Sequence, residues 1–475
     1  MTLKKLSANR QRWKYVASDF VSGAIAFFLF NIVRYFLLGE YSLGYKDLWL
    51  YLFSTKLIIE DCVVPVGMLG IYWLSGYYNQ PFGKSRLQEV ITTFFSSLIN
   101  TFIIYLVLLI NDQTGERRVN YELLVILFGL FFVLTYVPRL LITQSALSHF
   151  KSHSWVFRAL IVGTSSAAKK TAERLVKGPS RVGYEIEGFV RIPGEEEVTG
   201  LEGVVELSEI EKTCRERNID QLIIAPEIYD EEKVLKLLYR LFYLDLPLKI
   251  SPDTFSFVTS AIRLKDIYGE PFIDLTSPTL SESSKNVKRV SDVVLSAITL
   301  ILLSPVLLWI ALAVRKSSPG KVIYSQERIG LKQRPFKIYK FRTMRIDAES
   351  DGPQLTSKND PRVTKTGRFL RKYRLDELPQ FWNVLKGDMS IVGPRPEREF
   401  FIRQILQKAP YYVLVYQVRP GITSWGMVKY GYASNVTQMV ERTRFDLIYM
   451  ANMSLYVDMK ILIYTVRTVL CGKGM

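Results

Sequence analysis

Apolar residues in the first third of the chain fall into four long blocks, at residues 15–38, 48–74, 90–110 and 123–142. Each is near or above the ~20 residues that a helix needs to cross the hydrocarbon core of a bilayer, so residues 1–150 are predicted to form a four-span transmembrane bundle. Lys4, Lys5, Arg10, Arg12 and Lys14 precede the first block with no acidic residue among them. By the positive-inside tendency the N-terminus is cytoplasmic, and four crossings return the chain to that side. Arg117 and Arg118, in a loop this topology places outside, run mildly against it. The first block is too long for a cleaved signal peptide and lacks a small-residue cleavage site. Five charged residues interrupt the apolar blocks: Asp19, Arg34, Lys56, Glu60 and Asp61. Asp19 and Arg34 lie near block ends, where snorkelling to the interface accounts for them. Lys56 and Glu60, four apart, are expected to pair on one helix face.

Residues 151–280 change character. Strand-like runs at 157–162, 185–192 and 221–225 alternate with helical patterns at 166–177, 207–217 and 231–243. That alternation predicts a Rossmann-like parallel α/β domain. The turn after its first strand, Gly163-Thr164-Ser165-Ser166-Ala167, carries one glycine where a dinucleotide fingerprint needs three. Tyr229 and Lys233 match the Tyr-x-x-x-Lys spacing of short-chain reductases, but without the glycine turn the expected role is regulation or assembly. A short polar linker, 281–286, follows.

A fifth apolar block at 291–314 would make a helix of roughly 36 Å. Lys288 and Arg289 flank one end, and Arg315, Lys316 and Lys321 the other, so both ends favour the cytoplasm. Ser304-Pro305 sits near the middle, where a proline removes a helix hydrogen bond. A re-entrant helix that turns at Ser304 and Pro305 and leaves on the side it entered satisfies both features. The other reading is a kinked fifth span, which would carry the rest of the chain outside.

Charge sharpens the picture. The 475 residues carry a formal charge of +17 although 48% are apolar, which suits an anionic membrane surface or phosphorylated ligands. No zinc-finger spacing, RNP-like segment or basic zipper points to nucleic acid. The three cysteines lie far apart, so no disulfide framework is expected. Only His149 and His153 occur, spaced i, i+4 but without Cys or carboxylate partners, and they read as a solvated face rather than a metal site. Chemistry beyond residue 153 therefore rests on carboxylates, Lys, Arg, Ser or Tyr.

Asp376 and Glu377 precede a helical pattern through Leu378, Phe381, Trp382 and Leu385, with Pro379 suited to the first turn. An isolated Asp-Glu pair there would read as a helix cap, its charge favoured by the helix dipole. The surroundings change that reading. Lys288-Arg289, Ser304-Pro305, the run Lys340 to Met344, Arg371, the run Leu375 to Gln380, the run Asn383 to Ser390 and Val392-Gly393-Pro394-Arg395-Pro396 follow in this order. Together they resemble the monotopic bacterial sugar transferases, the polyprenyl-phosphate phosphoglycosyl transferases, from about Asn286 to the end. With four preceding spans and a Rossmann-like middle, the chain resembles the large members that initiate exopolysaccharide, capsule or O-antigen units.

The resemblance implies three domains: 1–150 transmembrane, 151–280 regulatory or assembly, and 281–475 catalytic, a mixed α/β fold with the re-entrant helix. It implies transfer of a phosphosugar from a UDP-sugar to undecaprenyl (polyprenyl) phosphate at the cytoplasmic face of the bacterial inner membrane. UMP would leave, Asp376 would be the nucleophile, and Glu377 would orient the site or hold Mg²⁺ with Asp376. Lys340, Arg342, Arg371 and Arg395 are the candidate phosphate ligands, with Arg374 a weaker one. Arg328, Lys332, Arg334 and Lys337 read as solvated or lipid-facing. Asp446 and Asp458 are either partners of the basic cluster or surface caps. Ser424 to Val428 depart from the family's usual Gly-Trp-Ala-Gln-Val and are expected at the substrate or the membrane. A homodimer is expected by resemblance alone. Two other functions fit parts of the sequence: a membrane-tethered nucleotide-sugar oxidoreductase using Tyr229 and Lys233, and a non-catalytic assembly scaffold.

Overall fold

The computed structural model describes residues 3–79, 81, 86–109, 117–151, 156–177, 184–195, 198–225, 237, 240–242, 244, 246–250, 273–274, 280–346, 348 and 360–471. The chain forms two compact units, residues 1–227 with 250–273 and 281–286, and residues 228–249 with 274–280 and 287–475.

In the first unit, helices α1 (Leu3–Leu43), α2 (Leu48–Leu52), α3 (Thr55–Leu74), α4 (Arg86–Ile104) and α5 (Arg117–Lys151) make the apolar part. Four segments, Ala8–Leu38, Thr55–Leu74, Glu89–Val107 and Arg118–Ala146, are long and apolar enough to cross a membrane, as the four blocks predict. The second block is shorter than expected. Ser54 caps α3 by accepting a hydrogen bond from the Leu57 N–H, so 48–52 separates as its own short helix.

The two charges expected to snorkel do not. Arg34 is buried. Asp19 is fully buried and accepts hydrogen bonds from Arg139 at 2.8 and 2.6 Å and from the Tyr78 hydroxyl at 2.6 Å. Arg139, equally buried, lies 4.2 and 3.7 Å from the ring centroids of Tyr72 and Tyr77 and donates to Thr93. A charge in hydrocarbon survives when paired, and here a residue 120 positions away supplies the pairing. Lys56 and Glu60 approach to 3.9 Å with Lys56 largely exposed, a weak pair.

The same unit holds parallel strands β1 (Phe157–Val162), β2 (Tyr184–Arg191), β3 (Val204–Glu206) and β4 (Gln221–Ile224). Their order in the sheet is β3-β2-β1-β4, and the short strands β5 (Leu248–Ile250) and β6 (Ile273–Asp274) come next along the chain. Helices α6 (Ser166–Lys177) and α7 (Ile210–Glu216) alternate with the strands, so the predicted parallel α/β region is present. At the turn after β1, the Thr164 N–H donates to the Glu195 carboxylate at 2.9 Å. Tyr229, Lys233 and most of the helix predicted at 231–243 lie outside the described residues.

The expected linker at 281–286 is instead the start of helix α8 (Glu282–Leu302), because the Ser281 hydroxyl accepts from the Ser284 N–H and caps it. In the second unit α8 continues to Leu302 and α9 (Ser304–Ser317) follows at a bend of 64°. Pro305 occupies the first turn of α9, where its missing N–H costs little, and the Ser304 hydroxyl donates to the Ile301 carbonyl at 2.8 Å. One face of α9 is buried, with Ile310 and Val314 against Phe341, Leu370, Leu375 and Leu378. The opposite face exposes Leu308, Trp309 and Leu312.

An antiparallel hairpin, β7 (Ile323–Ile329) and β8 (Pro335–Phe341), and a parallel pair, β9 (Ser390–Val392) and β10 (Gly421–Thr423), are surrounded by six helices. These are α10 (Lys365–Lys372), α11 (Gln380–Lys386), α12 (Glu399–Lys408), α13 (Trp425–Lys429), α14 (Val436–Ala451) and α15 (Leu455–Leu470). Val384, Met389, Ile405, Tyr412, Met439 and Ile461 lie at the centre of their shared core.

Candidate active site

Asp376 and Glu377 sit in a single 3-10 turn, Leu375–Glu377, entered through Arg374 in the left-handed region (φ 52°). Leu375 and Leu378, on either side of the pair, are drawn into the cluster under α9, which turns the carboxylates the other way. Asn383 fixes the turn relative to β8: its side chain donates to the Lys337 carbonyl at 2.7 Å and accepts from the Tyr339 N–H at 3.1 Å. That register delivers Lys340, at the end of β8, to the pair.

The expected helix after the pair is only seven residues long, and Pro379 rather than either carboxylate stands at its N-cap. Capping is therefore not what these side chains do, and so short a helix offers little dipole. Charge is controlled by neighbours instead. Lys340 Nζ donates to Glu377 Oε1 at 2.7 Å, Arg395 reaches the same oxygen at 3.3 Å, and Arg374 lies 3.7 Å from Oε2. Burial works against the Glu377 charge, but Lys340, Arg395 and Arg374 together hold its carboxyl well below the usual carboxylate range. Asp376 has no ion pair within 4 Å among the described residues. Burial pushes its carboxyl above the ordinary value, Lys340 and Arg371 resisting and Glu377 adding to the rise. The helix-dipole expectation for Asp376 is thereby reversed. Burial also lowers Lys340, although Glu377 resists.

Arg395 is presented by a backbone with almost no freedom. A Cβ on Gly393 would come within 2.4 Å of the Arg419 carbonyl oxygen, so only glycine fits against β10. The Gly393 N–H donates to Thr423 O at 3.0 Å and the Gly421 N–H to Pro394 O at 2.9 Å. Asp446 accepts from the Gly426 N–H at 2.8 Å and also from the Arg395 backbone N–H. Beside Arg395, Glu397 is clasped by Arg442 and by Arg328 at 3.3 Å.

Lys340, Arg342, Arg371, Asp376, Glu377 and Arg395 all line one cavity of about 750 Å³. Arg371 is steadied by its Nε donating to Thr343 Oγ1 at 2.9 Å, and Arg342 by donating to the Ser318 carbonyl at 2.6 Å. Asp446, Asp458, Ser304 and Pro305 do not line it. Both aspartates are buried, so neither is a surface cap. Asp458 accepts from Lys288 and from the Tyr449 hydroxyl, each at 2.6 Å, and Lys288 also donates to Val392 O, which braces β9. Ser424 to Val428 lie off the cavity too: Ser424 caps α13, and Gly426 packs against Arg442 and Asp446.

Among the lining residues that sequence reasoning missed are Gln326, Arg328, Glu397, Tyr432 and Arg442. Arg328 is corrected from solvated to cavity-lining. The readable signal was the spacing of Arg442, Asp446 and Tyr449, which puts three polar side chains on one helix face.

Among the described residues no group of three or more His, Cys, Asp or Glu could hold a metal. Mg²⁺, which is commonly bound by one or two carboxylates together with substrate phosphates, would be held here by Asp376 and Glu377. Glu377 is already neutralised by three cations, leaving Asp376 as the freer donor.

Comparison with known proteins gives the family of the part that carries this cavity. A family model described as Bacterial sugar transferase matches residues 283–472. A UDP-glucose:undecaprenyl-phosphate glucose-1-phosphate transferase of Escherichia coli K12 is 36% identical over 318 residues, covering 66% of this chain and 68% of that protein. A UDP-N-acetylgalactosamine-undecaprenyl-phosphate N-acetylgalactosaminephosphotransferase of Aeromonas hydrophila is 43% identical over 188 residues, 40% of this chain and 44% of that one. An uncharacterized sugar transferase of Haemophilus influenzae is 28% identical over 490 residues, 96% of this chain and 97% of its own.

Proposed function

The chain belongs to the bacterial sugar transferases, and from that membership we propose that it moves a phosphosugar from a UDP-sugar to undecaprenyl phosphate through a phospho-aspartate at Asp376. The observation that carries the mechanism is the unequal treatment of two adjacent carboxylates. Glu377 is neutralised by Lys340, Arg374 and Arg395, while Asp376 lines the cavity with no ion-pair partner among the described residues. An Asp376 oxygen forms a bond to the β-phosphorus as the bridging bond to the α-phosphate breaks, and UMP departs with those electrons. A phosphate oxygen of the lipid then attacks the same phosphorus, the aspartyl bond breaks, and Asp376 returns as carboxylate beside a polyprenyl diphosphate sugar. Lys340 and Arg395, held by Glu377, and Arg371 carry the charge of the transferring group. Mg²⁺, held by the two carboxylates and substrate oxygens, would neutralise the diphosphate.

The oxidoreductase alternative meets an obstacle at the turn after β1, where Glu195 occupies the Thr164 N–H that a pyrophosphate would need. A scaffold role leaves the buried, cation-ringed pair without a purpose. The decisive assay incubates the full-length protein in membranes with UDP-sugars and polyprenyl phosphate; UMP release is expected, and its absence with every donor refutes the reading.

The same assay has a predicted pH profile. Asp376 must be ionised to attack, and its carboxyl lies above the ordinary aspartate value of about 3.9. As pH falls through that raised value, kcat/KM is expected to fall, while Glu377 stays ionised and adds no second limb. Mg²⁺ on the carboxylates would move this limb to lower pH, so it is the absence of any acid limb, not its position, that counts against Asp376 as nucleophile.

The bent pair α8–α9 acts, in this reading, as a re-entrant membrane helix that keeps the catalytic domain, residues 281–475, on the cytoplasmic face of the inner membrane. Residues 1–150 anchor it, residues 151–280 form a Rossmann-like regulatory or assembly domain, and the working form is a homodimer. Single cysteines placed at Ser284 and Ser318, with Cys62, Cys214 and Cys471 replaced, are expected to react with an impermeant thiol reagent from the same side. Labelling from opposite sides makes α8–α9 a fifth span.

A further inference from the structure

The catalytic cavity has two chemically different ends. Lys340 lies between them: beyond the end of β8 the chain goes on to Arg342, Thr343 and Arg345 on one side, and β7 pairs back along β8 towards the other, Tyr324 opposite Lys340 and Gln326 opposite Ile338. At the first end, Arg342, Arg345 and Arg371 have no carboxylate within ion-pair distance among the described residues. At the second, the cations have carboxylate partners that partly offset them: Arg328 and Arg442 share Glu397. What that end offers is hydrogen bonding. Tyr324, Gln326 and Arg328 alternate along β7 and so share one face, with Gln326 Nε2 donating to the Tyr324 hydroxyl and Arg328 to Gln326 Oε1, both at 2.8 Å. Tyr432, whose ring centroid lies 5.1 Å from Arg374 and 5.6 Å from Arg395, and Met439 also line the cavity.

We infer that the β7 end is the sugar subsite and that Gln326 is a specificity-determining residue; this rests on the transferase reading above. The substrate has one neutral group on each side of its diphosphate. The α-phosphate needs uncompensated cations, and these lie at the Arg342 end. The nucleoside, attached to the α-phosphate, must follow it there. The sugar is attached to the phosphorus that Asp376 attacks, so it leaves the site of reaction in the other direction, onto the hydrogen-bonding face of amide and phenol where the arginines have carboxylate partners. A neutral polyol is recognised by such a face, whose amide and hydroxyl groups lose hydrogen bonds to the wrong hydroxyl pattern once the bound sugar covers them.

The test uses full-length protein in membranes with polyprenyl phosphate, comparing wild type with Gln326→Ala and Gln326→Glu. Gln326 is half-buried on a hairpin face, so neither change empties a core. The KM for the preferred UDP-sugar is expected to rise about tenfold, the loss of one or two good hydrogen bonds. The preference between UDP-glucose and UDP-N-acetylgalactosamine should shrink or invert, and inhibition by UMP should stay within about twofold of wild type. Parallel weakening of UMP inhibition and of KM would place the nucleoside on β7 and overturn the inference, as would unchanged constants in both variants. No UMP release by the wild type from any UDP-sugar would refute the transferase reading itself, and this inference with it.

Discussion

Asp376→Asn is expected to lower UMP release from a UDP-sugar by about 10³-fold or more, with no loss of folded protein. A neutral amide of the same shape cannot supply the electron pair that bonds to phosphorus, and no other side chain at the cavity is poised to replace it. Lys340, Arg374 and Arg395 remain bound to Glu377, so the phosphate-binding frame survives the change. The variant also removes a charge that burial disfavours. Its thermal midpoint should therefore match or exceed that of the wild type, which separates lost chemistry from lost structure. Intact mass should reveal a phosphosugar adduct on wild-type protein given donor without lipid, and none on Asp376→Asn. Undiminished UMP release by the variant rules out the aspartyl route.

Much of this site was legible before any coordinates, because its residues cluster in order along the chain. Lys340, Arg371, Asp376, Glu377 and Arg395 fall within 56 positions and converge on one cavity. The membrane blocks were equally plain, since composition alone marks them. What escaped was everything set by long-range pairing. Asp19 looks like an interfacial charge until Arg139 is seen beside it. Arg328 looks solvated until Glu397 and Arg442 enclose it. The electrostatics of the pair were misjudged for the same reason: a local helix dipole was visible in the pattern, whereas burial and the cations from β8 and the Gly393-Pro394-Arg395 segment were not. Helix boundaries at Ser54 and Ser281 turned on single capping hydroxyls, which the runs of apolar residues around them conceal.

Glu377→Gln should have the opposite signature to Asp376→Asn, with a large structural cost accompanying its loss of rate. The carboxylate is 4% exposed and is the shared counter-charge of Lys340, Arg374 and Arg395. Gln keeps the shape and one hydrogen-bond acceptor but leaves three cations facing one another around a side chain that is itself buried. Removing one partner of a buried ion pair costs about 3–5 kcal/mol, and three partners are affected here. The expected result is a thermal midpoint lower by roughly 5–15 °C for a unit of this size. UMP release should fall by about 10²-fold as Lys340 and Arg395 lose their alignment. The source of the cost can be isolated. Lys340→Met alone unpairs Glu377 in part, but combined with Glu377→Gln it also removes one of the mutually repelling cations. The double variant should be more stable than the sum of the two single losses predicts, by about 1–3 kcal/mol. Strict additivity would mean that Lys340 and Glu377 do not interact, and Glu377 would lose its role as the residue that gathers the phosphate-binding cations beside Asp376.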